Sequence, residues 1–286
     1  MISVIIPAYN ESDTIYALVT DLIKNLNNNG LENEIIVVDD ASSDQTFELA
    51  IKAGAKVIRH PYNKGNGAAI KTGIRNTNGE LIVMMDADGQ HNHENIIDML
   101  TMIDTYDMVV ASRDKKSHQS FPRKFANNIY NKFASYMTGM EILDLTSGFR
   151  LIKAKILMKY LYLLPNKFSY PTTLTMSFIR SGYNVAFFPV TMNKRKGGKS
   201  KINIIIDGPR FFVTIVKIAM LFSPLRLFIP ISLISFFFGI LYTFYTIYYI
   251  GVFRNFSVTI FIFSMLMAVI GFISEQITAL RYQHSD

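Results

Sequence analysis

The sequence predicts an α/β domain on a mostly parallel sheet, followed by an amphipathic helix and a two-helix membrane hairpin. Three observations carry this. Over the first 110 residues, short β-branched runs alternate with longer amphipathic stretches, as in strand–helix units. Each run ends in a polar, turn-forming cluster. Near the C-terminus, Leu227 to Phe253 holds no charged side chain for 27 residues and Asn255 to Ser274 none for 20, with Arg254 between them.

In chain order, strands are expected near Ile2 to Ile6, Glu34 to Asp39, Lys56 to Arg59, Leu81 to Met85 and Met108 to Ala111. Helices are expected near 12–28, 43–53, 66–76 and 93–103. Ser42 followed by Gln45 reads as a capping box opening the second helix, and Gly65 and Gly67 break the chain before the third. From Asp207 to Phe222, the polar residues Asp207, Arg210, Thr214 and Lys217 recur at helical spacing opposite Phe211, Phe212, Ile215, Ile218, Leu221 and Phe222. Beside a membrane span, that reads as a helix lying in the interface rather than one packed on a core. Pro224 and Pro230 are expected to mark the bend into the bilayer. The expected divisions are a domain over 1–202, an interfacial helix over 203–224 and a hairpin over 225–281, with spans about 227–250 and 256–279.

A bilayer core takes about 20 apolar residues per helix. The two charge-free runs meet that length, and their richness in Phe, Ile, Leu and Tyr favours spanning over a buried core pair. With a short connection, both outer ends lie on one side. Arg210, Lys217 and Arg226 precede the first span and Arg281 follows the second, whereas the connection carries one Arg, so the N-terminal domain is expected in the cytosol of an integral cell-membrane protein. The chain begins Met-Ile-Ser-Val-Ile-Ile-Pro, without the features of a cleavable signal, and its lack of cysteine fits a reducing compartment. A formal charge of +7 raises the question of nucleic acid, but there is no zinc-ligand spacing and no basic helix interleaved with aromatics. Membrane lipid and phosphate are the better partners for the cluster Lys194, Arg195, Lys196, Lys199 and Lys201.

The fourth strand runs into Asp86-Ala87-Asp88-Gly89-Gln90-His91. Two carboxylates one residue apart at a strand end can grip a divalent cation together with phosphate oxygens, and Gln90 can add a third oxygen. Hard oxygen ligands without Cys or paired His point to Mg²⁺ or Mn²⁺ rather than zinc. Pro7-Ala8-Tyr9-Asn10-Glu11 and Val38-Asp39-Asp40 end the first two strands at the same sheet edge, where carboxylates can take base or ribose donors and Tyr or Pro can cover a base. Turn formation and helix capping are the plainer reading. Tyr62-Asn63-Lys64-Gly65-Asn66-Gly67, opening a helix, is consistent with anion binding.

Taken in order, Pro7 to Glu11, Val38-Asp39-Asp40-Ala41-Ser42-Ser43-Asp44, Asn63-Lys64-Gly65-Asn66-Gly67-Ala68-Ala69 and Asp86 to His91 resemble family 2 glycosyltransferases of the GT-A fold. Asp144-Leu145-Thr146-Ser147-Gly148-Phe149-Arg150 narrows the resemblance to the dolichyl- or polyprenyl-phosphate hexose transferase branch. The similarity continues through Lys196-Gly197-Gly198-Lys199-Ser200-Lys201, about residue 202. It implies inverting transfer of a hexose from a nucleotide sugar to a polyprenyl or dolichyl phosphate. The implied nucleotide site is Pro7, Tyr9, Glu11 and Asp39, and the implied metal ligands are Asp86, Asp88 and Gln90. Donor and acceptor phosphates would meet Arg113, Arg123, Ser147, Arg195 and Lys199. Asp88, Asp144 and Arg150 carry the expected catalytic roles, with Asp144 a positioner of Arg side chains or sugar hydroxyls rather than an obligatory base, and a purely structural role for Asp144 standing equally beside that.

One departure concerns the sugar. Phe168-Ser169-Tyr170-Pro171-Thr172-Thr173 offers hydroxyls where many relatives place an acid, so GDP-mannose and UDP-glucose both stay open as donors, as do donors of N-acetylated or amino sugars. Processive polysaccharide synthases share the early motifs but carry a Gln-x-x-Arg-Trp signature, and this chain has no Trp. The alternative from another class is an inactive membrane adaptor that binds sugar nucleotide. Gly239 and Gly251 would allow close helix approach in a homo-oligomer, and Glu275 reads as an interfacial acid beside Arg281.

Overall fold

The computed structural model describes residues 1–114, 121–167, 169–193 and 204–283. The chain divides into two compact units, Met1–Thr214 and Ile215–Asp286.

The first unit is a seven-stranded sheet with helices on both faces. Its strands are β1 (Ile2–Ala8), β2 (Asn33–Asp39), β3 (Lys56–Arg59), β4 (Leu81–Met84), β5 (Met108–Arg113), β6 (Arg150–Lys153) and β7 (Val185–Val190), in spatial order β3-β2-β1-β4-β6-β5-β7. All neighbours pair in parallel except β6, which runs antiparallel to both β4 and β5. The period-2 alternation of strands separates two cores. Ile2, Val4, Ile6 and Ala8 of β1 join Val83, Val109 and Leu151 under α1 (Ile15–Asn28) and α4 (Asn95–Leu100). Ile5 of β1 joins Ile82, Met108, Val110 and Ile152 under α3 (Asn66–Arg75) and α7 (Tyr170–Arg180). Pro7 is tolerated in this central strand because it lies beyond the last rung to β4, which ends at Ile5.

Five expected strands are present, within a few residues of their expected bounds. The helix expected over 93–103 is shorter, α4 covering Asn95–Leu100. The capping box at Ser42 and Gln45 does not form at α2 (Thr46–Lys52), which has no side-chain cap at Gln45. Ser42 Oγ instead accepts the Asn10 N–H at 2.9 Å, and Asp44 Oδ1 accepts the Thr46 N–H at 3.0 Å. The shorter Asp side chain reaches the turn, while Ser42 is drawn into the loop after β1.

Gly65 and Gly67, at the start of α3, serve close packing against the 165–167 segment. A Cβ at Gly67 would lie 2.7 Å from the Lys167 carbonyl and also against that of Pro165, and Ala68 N–H donates to the Asn166 carbonyl at 3.0 Å. Lys71 reaches the same segment at the Leu164 carbonyl. Gly67→Ala is therefore expected to destabilise the protein by about 1–3 kcal/mol, read as a lower thermal midpoint in detergent.

α5 (Phe121–Thr138), α6 (Ala154–Tyr160) and a 3₁₀ turn (Leu161–Leu163) complete the first unit, and α8 (Ile204–Phe222) continues into the second. There α9 (Leu225–Ile250) and α10 (Asn255–Gln283) form an antiparallel pair, α9 closing on Gly251 in the left-handed region. Both are long and apolar enough to cross a membrane, and only 11% and 17% of their most apolar windows are buried, unlike core helices. Pro224 immediately precedes α9, whereas α9 runs through Pro230. Ser232 and Ser264 each donate from Oγ to the other's carbonyl, at 2.8 and 2.9 Å. Gly239 lets Phe261 approach, and Glu275 Oε2 accepts the Leu225 N–H at 3.3 Å, satisfying one orphan donor at the α9 N-terminus.

Candidate active site

The sheet topology builds the site. β4 is flanked by β1 on one side and by antiparallel β6 on the other, with Met84 opposite Arg150. The N-terminal end of β6 therefore lies beside the C-terminal end of β4, and the Asp144 to Phe149 loop entering β6 meets the Asp86-Ala87-Asp88 loop leaving β4. Contact is direct. A Cβ at Gly148 would fall 2.7 Å from Asp86 Oδ2, so only glycine leaves that carboxylate its place. Val110 of β5 also pairs with Arg150, which brings Arg113, at the end of β5, to the same edge.

Arg113 and Asp144 form the best-defined charged contact here. Arg113 Nε lies 3.0 Å from Asp144 Oδ2, its backbone N–H donates to that oxygen at 3.2 Å, and Nη2 donates to Thr146 Oγ1 at 3.0 Å. Asp144 Oδ1 takes the Thr146 N–H at 3.2 Å. The pair is largely buried, so the carboxylate orients the guanidinium.

His91 sits among these groups. Its ring is buried against Phe149 with centroids 5.0 Å apart, and Nε2 lies 4.0 Å from Asp86 Oδ2. Burial pushes the imidazole down to about 4, with Arg113 lowering it further and Asp88 and Asp144 opposing. At neutral pH the ring is uncharged and adds no cation beside the carboxylates. Asp88 Oδ1 accepts the Gln90 N–H at 3.1 Å, shaping the turn, and Gln90 is tied by its carbonyl to Asn193 N–H at 2.9 Å.

Arg150, expected to be catalytic, is placed otherwise. It is fully buried, donating from Nε to the Ser147 carbonyl (2.8 Å), from Nη1 to Thr175 Oγ1 (2.8 Å) and from Nη2 to the Leu145 carbonyl (3.2 Å). Burial lowers it to about 10, which leaves it charged at neutral pH. Its guanidinium holds the loop that carries Asp144 and Ser147, a positioning role. Tyr170 is buried within electrostatic reach of Asp86 and Arg150, and desolvation pushes its hydroxyl up.

On the other side, Pro7, Tyr9 and Glu11 leave β1 next to the loop after β2. Asn10 and Ala41 both adopt positive φ, at 55° and 63°, and Asn10 Oδ1 accepts the Ser43 N–H at 2.8 Å. Asp39 is fully buried, its Oδ1 accepting the Ser42 N–H at 2.9 Å and its Oδ2 3.1 Å from Arg59 Nε. Thr14 Oγ1 donates to the Ala87 carbonyl at 2.6 Å and joins this loop pair to the Asp86–Asp88 turn. Asp40 takes the N–H groups of Lys64 and Gly65, both at 2.8 Å, and His60 Nδ1 lies 2.7 Å from its Oδ1. The Arg123 side chain, Arg195 and Lys199 lie outside the described residues.

Sequence reasoning missed His91, Thr146, Arg59 and Thr14 as parts of this edge. His91 was visible in its motif, but its burial was not.

An open α/β sheet with paired carboxylates after β4, near an Arg at the end of β5 that pairs with an Asp before β6, defines a glycosyltransferase-type domain, here followed by an apolar hairpin. Residues 3–161 match the model of Glycosyl transferase family 2, and the chain belongs to that family. Residues 223–280 match the model described as GtrB C-terminal hairpin. A dolichyl-phosphate beta-glucosyltransferase of Trichomonas vaginalis is 30% identical over 244 residues, 76% of this chain and 70% of that protein. An undecaprenyl-phosphate 4-deoxy-4-formamido-L-arabinose transferase of Edwardsiella ictaluri is 28% identical over 211 residues, 71% of this chain. The chain spans 63% of the length of that transferase, and the same share of a second curated relative. In fold, the chain is similar to glucosyl-3-phosphoglycerate synthase from Mycobacterium tuberculosis, crystallised with Mn²⁺, UDP and phosphoglyceric acid. The TM-score is 0.63 at 19% identity, over 77% of this chain and 78% of that one.

Proposed function

We propose that the chain transfers a hexose from a nucleotide sugar, GDP-mannose or UDP-glucose, to a polyprenyl or dolichyl phosphate at the cytosolic membrane face, inverting the anomeric carbon. The observation that carries this reading is the meeting of Asp86 and Asp88 with the Arg113–Asp144 pair around His91, in a chain that ends in an apolar hairpin. The lipid-phosphate relatives and the fold neighbour crystallised with Mn²⁺ and UDP support it. The same reading divides the chain into a catalytic domain over 1–202, an interfacial helix over 203–224 and a membrane hairpin over 225–281.

The donor set fits a hard divalent cation. Asp86 keeps 35% of its side chain exposed, and among the described residues no three or more His, Cys, Asp or Glu are gathered so as to hold a metal ion by themselves. Two carboxylates and the Gln90 amide oxygen leave positions for phosphate oxygens, which suits Mg²⁺ or Mn²⁺. Such a cation, when bound, neutralises charge on the departing diphosphate.

The remaining work falls to side chains. The acceptor phosphate is already an anion, with a second pKa near 6, and needs little general-base help. What it needs is alignment beside a second anion. Arg113, oriented by Asp144, supplies positive charge for this, with Arg123, Ser147, Arg195 and Lys199 around the two phosphates. Pro7, Tyr9, Glu11 and Asp39 hold the nucleoside. A phosphate oxygen attacks the anomeric carbon as the bond to the nucleoside diphosphate breaks, and the diphosphate leaves with the bonding electron pair.

Asp144→Asn is expected to lower kcat/KM by about 10- to 100-fold, chiefly through a higher acceptor KM, because Arg113 loses its charged partner. Unchanged kinetics would remove Asp144 from the site. The reaction itself is tested with full-length protein in detergent, Mn²⁺ or Mg²⁺, a short polyprenyl phosphate and a panel of radiolabelled sugar nucleotides. EDTA-sensitive label in the organic phase from one donor is the expected result and names the sugar. No transfer from any donor, with metal-dependent nucleotide binding by calorimetry, would favour an adaptor that binds sugar nucleotide.

A further inference from the structure

We propose that Arg59, at the end of β3, reads the base of the donor nucleotide and selects a keto base over an amino base, with Asp39 as the buried group that fixes it. The inference rests on the nucleotide-sugar reading and names the part of the nucleotide that the site tests. Arg59 stands opposite Asp39 in the parallel β2–β3 register, so both side chains leave the same face at the same sheet edge. Asp39 is fully buried, with Oδ1 taken by the Ser42 N–H at 2.9 Å and Oδ2 3.1 Å from Arg59 Nε. A carboxylate so enclosed acts on a ligand through its partner.

The guanidinium is held from three sides. Besides the contact with Asp39, its Nη2 donates to the Ser42 carbonyl at 2.8 Å, and its Cζ lies over the Phe47 ring of α2, 5.1 Å from the ring centre. Ser42 in turn accepts the Asn10 N–H, which ties the guanidinium to the loop that carries Tyr9 and Glu11. Yet 45% of the Arg59 side chain is exposed, and among the described residues its Nη1 has no hydrogen-bond partner. Donors fixed in direction are therefore turned outward beside the residues proposed to hold the nucleoside.

Two observations assign these donors to a base rather than to a phosphate. The Asp39 carboxylate already offsets the Arg59 charge, which leaves a hydrogen-bonding fork suited to a neutral group. In the spatial order β3-β2-β1-β4, Arg59 also lies three strand spacings, about 14 Å, from the strand that leads to Asp86 and Asp88, where the proposed cation meets the diphosphate. Uracil and guanine carry a carbonyl oxygen where cytosine and adenine carry an amino group. A fixed N–H donor bonds the first and is left facing another donor by the second. GDP-mannose and UDP-glucose both carry a keto base, so the inference holds for either donor.

Calorimetry with the full-length protein in detergent and Mn²⁺ would compare UDP with CDP, GDP with ADP, and ribose 5-diphosphate, which has no base. The wild type is expected to bind the keto member of the better-bound pair roughly tenfold more tightly than the amino member. Arg59→Met should bring the two within about twofold by weakening the keto member, and leave ribose 5-diphosphate unchanged. Arg59→Lys keeps a charge opposite Asp39 without the fork, and should lose most of the preference at a thermal midpoint near that of the wild type. Equal binding of keto and amino nucleotides by the wild type, or a preference kept in both variants, overturns the proposal. So does ribose 5-diphosphate weakened as much as the keto nucleotide, which would give Arg59 to the phosphates. A wild type that binds no nucleotide overturns it together with the reaction. A preference present in the wild type and lost in the variants, in protein that transfers no sugar, would defeat the reaction and leave Arg59 as the reader of the base.

Discussion

Asp88→Asn is expected to reduce transfer by about 10²- to 10³-fold, roughly 3–4 kcal/mol of transition-state stabilisation, with the fold intact. The amide keeps an oxygen that can accept the Gln90 N–H, now bonded to Asp88 Oδ1 at 3.1 Å, so the turn after β4 survives. What disappears is one of the two negative charges that the proposed reaction assigns to a divalent cation. The check has two parts: initial rates across a Mn²⁺ titration, and direct Mn²⁺ binding by electron paramagnetic resonance without substrate. Weaker binding with a slower maximal rate is the expected pair of results. Wild-type binding and rate would take Asp88 out of the metal site.

Arg150→Met is expected to have the largest effect on stability, about 3–5 kcal/mol. Methionine approximates the length of the aliphatic stem but leaves the Leu145 and Ser147 carbonyls and Thr175 Oγ1 without the donors they now have, inside a fully buried site. Thermal unfolding in detergent should shift down by roughly 6–15 °C. Arg150→Lys, which keeps the charge without the planar fork, should recover only part of this. An unchanged midpoint with lost activity would return Arg150 to the catalytic role that its motif suggested. The separation matters because a residue that holds the 145–147 loop and one that touches substrate both abolish turnover, while only the first moves the midpoint.

Much of the fold was legible because its signals are local. β1, β2, β4 and β5 are apolar, β-branched runs closed by turn residues, and β3, more exposed, ends in the same way. The hairpin was legible from missing charge alone. β6 was not, because its four residues open on a buried Arg and close on a Lys, which reads as a loop until β4 and β5 flank it. β7 carries Pro189 near its end, a residue that marks a strand as doubtful unless it lies at an edge, which β7 does. The capping box at Ser42 failed for a related reason. A side chain that satisfies one local partner was claimed by Asn10, a residue distant in sequence.

For the site, the sequence by itself determined the chemistry on offer: paired carboxylates after a strand, a motif further on that opens with Asp144 and closes with Arg150, and two helices suited to lipid. Only the tertiary structure decided which of these meet. Antiparallel β6 sets Gly148 against Asp86, and the pairing of both β4 and β5 with β6 brings Arg113 to Asp144. It also decided that Arg150 faces inward to the Ser147 and Leu145 carbonyls, and that His91 stays uncharged. The physical reason is range. Strand, helix and span patterns arise between residues a few positions apart, whereas burial and charge pairing depend on which strand ends the sheet brings side by side.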